Sequence, residues 1–147
     1  MGGATITLEA ADGGSLAYVE SLLEENDLPS SDVRSKPRCF YVAYDGDERV
    51  GIGGIELRGV AGLLRSVAVD PDYRGEGLGT ALCERLEAVA RDEGVEVLYL
   101  LTTTVPGFFA DRGYEEVPRD DAPAGIQTTT EFADLCPETA VCMRKPL

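Results

Sequence analysis

Between Arg74 and Thr80 the chain reads Arg-Gly-Glu-Gly-Leu-Gly-Thr, with glycines at alternate positions behind a strand-like run and ahead of a helix-like one. Glycine lets the backbone approach a ligand closely and turn its N–H groups toward one point, and a helix start adds partial positive charge. Gly75, Glu76, Gly77, Leu78, Gly79 and Thr80 therefore read as a cradle for a phosphate or pyrophosphate, with Arg74 as its cation. A glycine-rich turn with no ligand is the plainer alternative. Two other phosphate cradles are excluded, because no Gly-Lys-Ser/Thr follows and Gly-Glu-Gly-Leu-Gly is not the spacing of a dinucleotide fingerprint.

The whole chain limits what such a loop can serve. Its 147 residues suit one domain, and they carry 13 Lys plus Arg against 27 Asp plus Glu, a formal net charge of -14. No stretch concentrates Lys and Arg, which argues against a nucleic acid or an anionic membrane as partner. An acidic protein can still hold an anion through backbone amides and one arginine. The dispersed carboxylates read either as a device for solubility or as a halophilic adaptation to high salt. No apolar run has the length of a membrane span and the N-terminus lacks a signal-peptide layout, so a cytoplasmic location is expected. With no His, and no CxxC among Cys39, Cys83, Cys136 and Cys142, a Cys/His zinc site is excluded and free thiols are expected. Cys136 and Cys142 would chelate a soft metal or metalloid only if they met in space.

The elements that must position the loop follow from periodicity. Ala4 to Glu9 alternates as a short strand. A helix capped by Asp12 follows, with Leu16, Val19, Leu22 and Leu23 on one face, and Asn26 with Pro29 ends it. Residues 27 to 38 are turn-rich, with one irregular helical turn. Cys39 to Tyr44 and Val50 to Leu57 form a hairpin over a loop of about five residues, and Leu63 to Val69 continues the antiparallel meander. Asp70-Pro71-Asp72-Tyr73 turns into the glycine loop, and Thr80 to Asp92 is an amphipathic helix closed by Gly94. Val95 to Thr103 lies beyond a helical crossover and pairs in parallel with the 63 to 69 strand. Pro106 and Gly113 bracket a short helix over Gly107 to Arg112. Tyr114 to Val117 and Thr139 to Met143 make a last hairpin. The expected fold class is a mixed α/β (α+β) domain spanning the whole chain, with an antiparallel front half and one parallel pair.

In this context Arg74-Gly75-Glu76-Gly77-Leu78-Gly79, preceded by its strand and a Val-Asp-Pro-Asp-Tyr turn, resembles the Arg/Gln-x-x-Gly-x-Gly/Ala loop of the GNAT N-acetyltransferases. The resemblance runs over about residues 4 to 145. It implies the acyl-CoA N-acyltransferase fold, in which the strands at 63 to 69 and 95 to 103 splay apart. It also implies acetyl-CoA as cosubstrate, with the pyrophosphate on Gly75 to Thr80 and the pantetheine along Val67, Ala68 and Val69. The Val67 N–H would polarise the thioester carbonyl. Many members carry a tyrosine four residues before the glycine of the short helix, which protonates the departing thiolate; here that position is Phe109. Tyr114 and Cys142 are candidate substitutes, Tyr114 equally a packed aromatic. Leu100-Leu101-Thr102-Thr103-Thr104, Phe108-Phe109, Arg112-Gly113-Tyr114, Glu131-Phe132 and Leu135-Cys136-Pro137 look like the N-acetylglutamate-synthase-like branch, which includes acetyltransferases encoded beside arsenic-resistance genes and which also has Phe at that position.

Within that resemblance Glu56, at a strand end, is the candidate base for the acceptor amine, or simply a solvated carboxylate. Arg65 would pair with a substrate carboxylate in a bidentate bond, or be an ordinary surface residue. Thr102, Thr103 and Glu131 line an acceptor pocket, or finish a strand and cap a turn. The resulting expectation is transfer of acetyl to the amine of a small molecule, an amino acid or related carboxylate, by direct attack and with no metal. A homodimer is compatible with the sequence. The alternative is a CoA-binding regulatory module that kept the loop and lost catalysis.

Overall fold

The computed structural model describes residues 6–26, 30–31, 33–35, 37–73, 77–102, 106–129 and 140–147. Among these residues seven strands form one sheet in the order β1-β2-β3-β4-β5-β7-β6. The strands are β1 (Thr7–Ala10), β2 (Phe40–Asp45), β3 (Glu48–Arg58), β4 (Ala61–Val69), β5 (Val97–Thr102), β6 (Glu115–Glu116) and β7 (Val141–Pro146). Pairing is antiparallel throughout except between β4 and β5, which run parallel. The expected mixed α/β class and its single parallel pair are both present.

Alternation along the strands builds a core on each face of the sheet. Leu64, Leu98 and Leu100 pack on one side with α2 (Leu78–Asp92) and with Phe109 of α3 (Pro106–Asp111). Their strand neighbours turn the other way: Phe40, Val42 and Ile52 meet α1 (Leu16–Glu25), and Leu63 and Tyr99 meet Ile126 of the one-turn helix α4 (Ala124–Gln127). The helix stripes are those that the spacing predicts, with Leu16, Val19, Leu22 and Leu23 buried in α1 and Leu82, Leu86 and Ala90 buried in α2. Each such leucine contributes roughly 2 kcal/mol of burial.

Boundaries shift for local reasons. The β2–β3 turn is shorter than five residues, since Asp45 pairs directly with Glu48 across Gly46 and Asp47; Gly46 takes φ 65, and a register shift at Ala43/Tyr44 absorbs the extra length. Asp12 does not cap α1 itself, for Ser15 is the N-cap, but its Oδ1 accepts from the amides of Gly14 and Ser15 at 2.9 and 3.0 Å and nucleates the turn. The Ser15 hydroxyl, which donates to the same oxygen at 3.2 Å, and then these amides hold the Asp12 carboxyl below its ordinary range. Two 3₁₀ turns, Val33–Ser35 and Pro37–Cys39, stand where one irregular turn is expected. Helix α2 begins two residues before Thr80, because Gly77 in a left-handed conformation (φ 78) breaks the loop there. The last hairpin forms, with β7 lying between β5 and β6 rather than at the sheet edge.

Candidate functional site

The site grows from the place where β4 and β5 part. Their ladder holds three pairs, Ala61↔Val97, Gly62↔Leu98 and Leu63↔Tyr99, and then ends, while β4 continues to Val69 and β5 turns to β7 through Leu100↔Met143, Leu101↔Cys142 and Thr102↔Val141. Leu64 to Val69 thus have no β5 residue opposite them. On its other side β4 carries a bulge: Ile52 faces Ala68 and Gly54 faces Arg65, so Ser66 and Val67 both oppose Gly53. Ser66 absorbs the insertion with φ 60, the left-handed value rare for a residue with a side chain. The backbone at Val67 is re-aimed at the depth of the sheet where the two strands diverge.

At the end of β4 a turn carries the chain into α2. Tyr73 N–H bonds the Asp70 carbonyl at 2.9 Å, and the Asp72 amide bonds Asp70 Oδ1 at 3.1 Å. Val69, Tyr73, Gly77, Leu78, Gly79, Thr80 and Phe108 together line a cleft of about 210 Å³. The N-cap position of the helix start in it is Gly77, which has no side chain to satisfy the first-turn amides, so the cleft receives the positive end of a fifteen-residue helix. A Cβ at Gly79 would stand 3.4 Å from the Phe108 ring and occupy space at the cleft wall. This arrangement fits an anionic ligand with an apolar neighbour.

Of the residues expected to hold a cofactor, Val69, Gly77, Leu78, Gly79 and Thr80 come together at the cleft, and Val67 and Ala68 lie on the divergent part of β4. Arg74, Gly75 and Glu76 lie outside the described residues, as do Thr103, Glu131 and Cys136. Sequence reasoning did not assign Tyr73 or Phe108 to the site. Both stand in the quoted turn and Phe-Phe pair, but nothing in their spacing says which way the rings point. The Tyr73 hydroxyl donates to the Glu48 carboxylate, chiefly for which its phenol is pushed up to about 12.

Glu56 and Arg65 meet each other. Both side chains are fully buried on adjacent strands, and Arg65 Nη1 donates to Glu56 Oε2 at 2.9 Å. The second carboxylate oxygen accepts from Arg58 Nη2 at 3.1 Å, with the Arg58 side chain 36% exposed. Arg65 Nε donates to Ser66 Oγ at 3.2 Å, and its guanidinium carbon lies 5.3 Å from the centre of the Phe40 ring. Neither plain reading holds, then: Glu56 is not a solvated carboxylate and Arg65 is not a surface residue. Thr102 is also buried, at the end of β5.

Phe109 is a core residue, its ring edge-on to Phe108 at 5.2 Å and to Tyr114 at 5.7 Å. The Tyr114 hydroxyl donates to Glu87 Oε2 at 3.1 Å, and burial, then the Glu87 charge, hold the phenol far above its ordinary value. Lys145 Nζ closes this buried group with a 2.9 Å bond to Glu87 Oε1. Cys142 packs against the opposite face, and burial pushes its thiol up to about 11. Neither Tyr114 nor Cys142 lines the cleft. Cys39, Cys83 and Cys142 are free thiols, and among the described residues no group of three or more His, Cys, Asp or Glu stands where it could hold a metal ion. Among those residues, too, no helix is long and apolar enough to cross a membrane.

Known proteins resemble this chain in sequence and in fold. An amino-acid acetyltransferase of Pseudomonas fluorescens is 42% identical over 64 residues, 44% of this chain and 15% of the relative, so the chain spans a small part of that relative's length. An uncharacterized N-acetyltransferase of Chlorobaculum tepidum is 33% identical over 106 residues, 71% of this chain and 66% of the relative. N-acetylglutamate synthase from Neisseria gonorrhoeae, solved with coenzyme A and N-acetyl-glutamate, superposes with a TM-score of 0.83 at 19% identity over 99% of this chain and 36% of that one. A Mycobacterium tuberculosis protein solved with CoA gives 0.78 at 24% identity over 96% and 99% of the two chains. These two likenesses establish the fold. The sequence profile of the acetyltransferase (GNAT) family matches residues 10–117, from the end of β1 to just beyond β6 and therefore across the bulge, the divergent strands and the glycine loop, and the chain belongs to that family.

Proposed function

We propose that this chain transfers the acetyl group of acetyl-CoA to the amine of a small molecule, an amino acid or related carboxylate, by direct attack in a ternary complex. The observation that carries the reading is the divergence of β4 from β5 beyond Leu63–Tyr99, with an uncapped helix start at its mouth. The phosphates fit the first-turn amides of α2, together with Arg74, Gly75 and Glu76 from the loop. The pantetheine arm fits the backbone of Val67, Ala68 and Val69, and the Val67 N–H is the donor for the developing oxyanion. On the acceptor, the lone pair of the neutral amine forms the C–N bond, the nitrogen gives up a proton to water, and the C–S bond breaks with CoA leaving as the thiolate. No tyrosine stands at the usual donor position, so that thiolate, of ordinary pKa about 8.5, leaves without a side-chain acid and takes its proton from water.

The acceptor pocket is assigned to the other side of the divergence, with Glu56, Arg65, Thr102, Thr103 and Glu131. Glu56 has two roles open to it. The sequence suggests a base, whereas its ion pair with Arg65 favours an anchor that fixes a guanidinium for the acceptor's carboxylate. The similarity to proteins named amino-acid acetyltransferase supports an amino-acid acceptor. Release of free thiol from acetyl-CoA, measured over a panel of amino acids and simple amines with mass spectrometry of the products, tests the whole reading. Amine-dependent release and an acetylated amino acid are expected. CoA binding without amine-dependent turnover would favour the regulatory module instead.

A further inference from the structure

Among the described residues the side chains that line the cleft are uncharged, yet a guanidinium reaches it from the end of α3. Arg112 directly follows that helix, its amide bonded to the Phe109 carbonyl at 2.9 Å. Its Nη1 donates to Thr80 Oγ1, and its guanidinium carbon lies 5.2 Å from the centre of the Phe108 ring. Thr80 and Phe108 are two of the cleft's walls. In a chain with twice as many acids as bases, no carboxylate stands within 4.0 Å of Arg112 among the described residues. The residue is half-buried. A hydroxyl oxygen that accepts from a guanidinium keeps its own proton to donate. Thr80 is thereby held as a donor in the first turn of α2, where the helix already favours negative charge.

We propose that Arg112 is a second cation of the phosphate subsite, stacked on Phe108 and acting both directly and through the Thr80 hydroxyl on a phosphate group in the cleft. The ligand class is a CoA-type phosphate ester, and the contact distinguishes it from a phosphate-free pantetheine thioester. This rests on the proposal that the cleft takes the phosphates of acetyl-CoA. The guanidinium fork serves two purposes, one arm on Thr80 and the rest free for the anion, which an ammonium could not reproduce fully.

Isothermal titration of CoA and NMR titration of pantetheine, with wild type and Arg112→Gln, test it. Arg112→Gln is expected to weaken CoA by about tenfold or more, the scale of a charge-assisted hydrogen bond, and to leave pantetheine unchanged. Arg112→Lys should recover part of the loss, and Thr80→Val should show a smaller loss with the same selectivity for CoA. Unchanged CoA affinity in Arg112→Gln, or an equal loss for both ligands, overturns the assignment. Should Arg112→Gln not fold, equal losses for the two ligands in Thr80→Val and Arg112→Lys overturn it in the same way. Wild-type protein that binds no CoA would instead overturn the cofactor reading beneath it.

Discussion

Glu56 and Arg65 were each legible as chemistry-bearing residues, but their meeting was not, because a pair across two strands depends on register rather than on spacing. The register that joins them runs unbroken from the turn at Gly59 and Val60, through Glu56↔Leu63 to Gly54↔Arg65, and the bulge follows only at Ser66, where no residue type in Leu64 to Val69 announces a left-handed serine. Phe109 shows the opposite case, a substitution visible in the sequence whose meaning, a ring packed between Phe108 and Tyr114, needed the structure. The buried pair makes a prediction at this scale. Removing the charge of Glu56 leaves a buried guanidinium poorly compensated, so Glu56→Gln should cost about 3 kcal/mol or more of stability in urea unfolding. If Glu56 anchors Arg65, the variant that remains folded should show a raised KM for the acceptor and a kcat close to wild type. A kcat that falls while KM holds, and recovers as pH rises, would restore the base.

At the scale of elements, α1 and α2 were legible from their apolar stripes, since a 3.6-residue period is a local property, whereas the single turn of α4 is too short to show one. What the pattern could not tell is why β3 contains Gly51, Gly53 and Gly54 in a strand otherwise fit for larger residues. A Cβ at Gly53 would lie 2.4 Å from Leu86 Cδ1 and within 3.3 Å of two further atoms of that buried side chain; one at Gly51 would lie 2.7 Å from the Ala68 carbonyl oxygen. The absence of side chains at Gly51 and Gly53 lets α2 sit down on the sheet through Leu82 and Leu86. Gly53→Ala should therefore destabilise by about 1 to 3 kcal/mol. Leu86→Ala, itself costly, removes the clashing group, so the double variant should be more stable than the sum of the single losses. Chemical denaturation of the four proteins measures the coupling. Strict additivity would mean that Leu86 does not define the spacing.

For the molecule as a whole, the net charge of -14 is dispersed, and the surface ion pairs Arg34–Glu20 and Arg144–Glu115 engage few of its carboxylates. Exposed pairs of this kind add little, and like-charge repulsion at low ionic strength is the larger effect. The melting temperature should rise between dilute buffer and molar KCl, as read by circular dichroism. A temperature that stays level or falls would leave the acidity as a matter of solubility alone. The order of the sheet was the least legible feature at this scale, because local patterns identify strands but not their neighbours. The hairpin of β6 with β7 was expected; the ladder of β7 on β5 was not. That placement makes residues 141–146 the closing piece of assembly. As a ribosome releases the chain, β5 and the apolar surface around it remain an open edge until β7 arrives, and such an edge templates aggregation. The hazard thus lasts while residues 103 to 140 follow β5 out of the ribosome, after the glycine loop and α2 have already emerged.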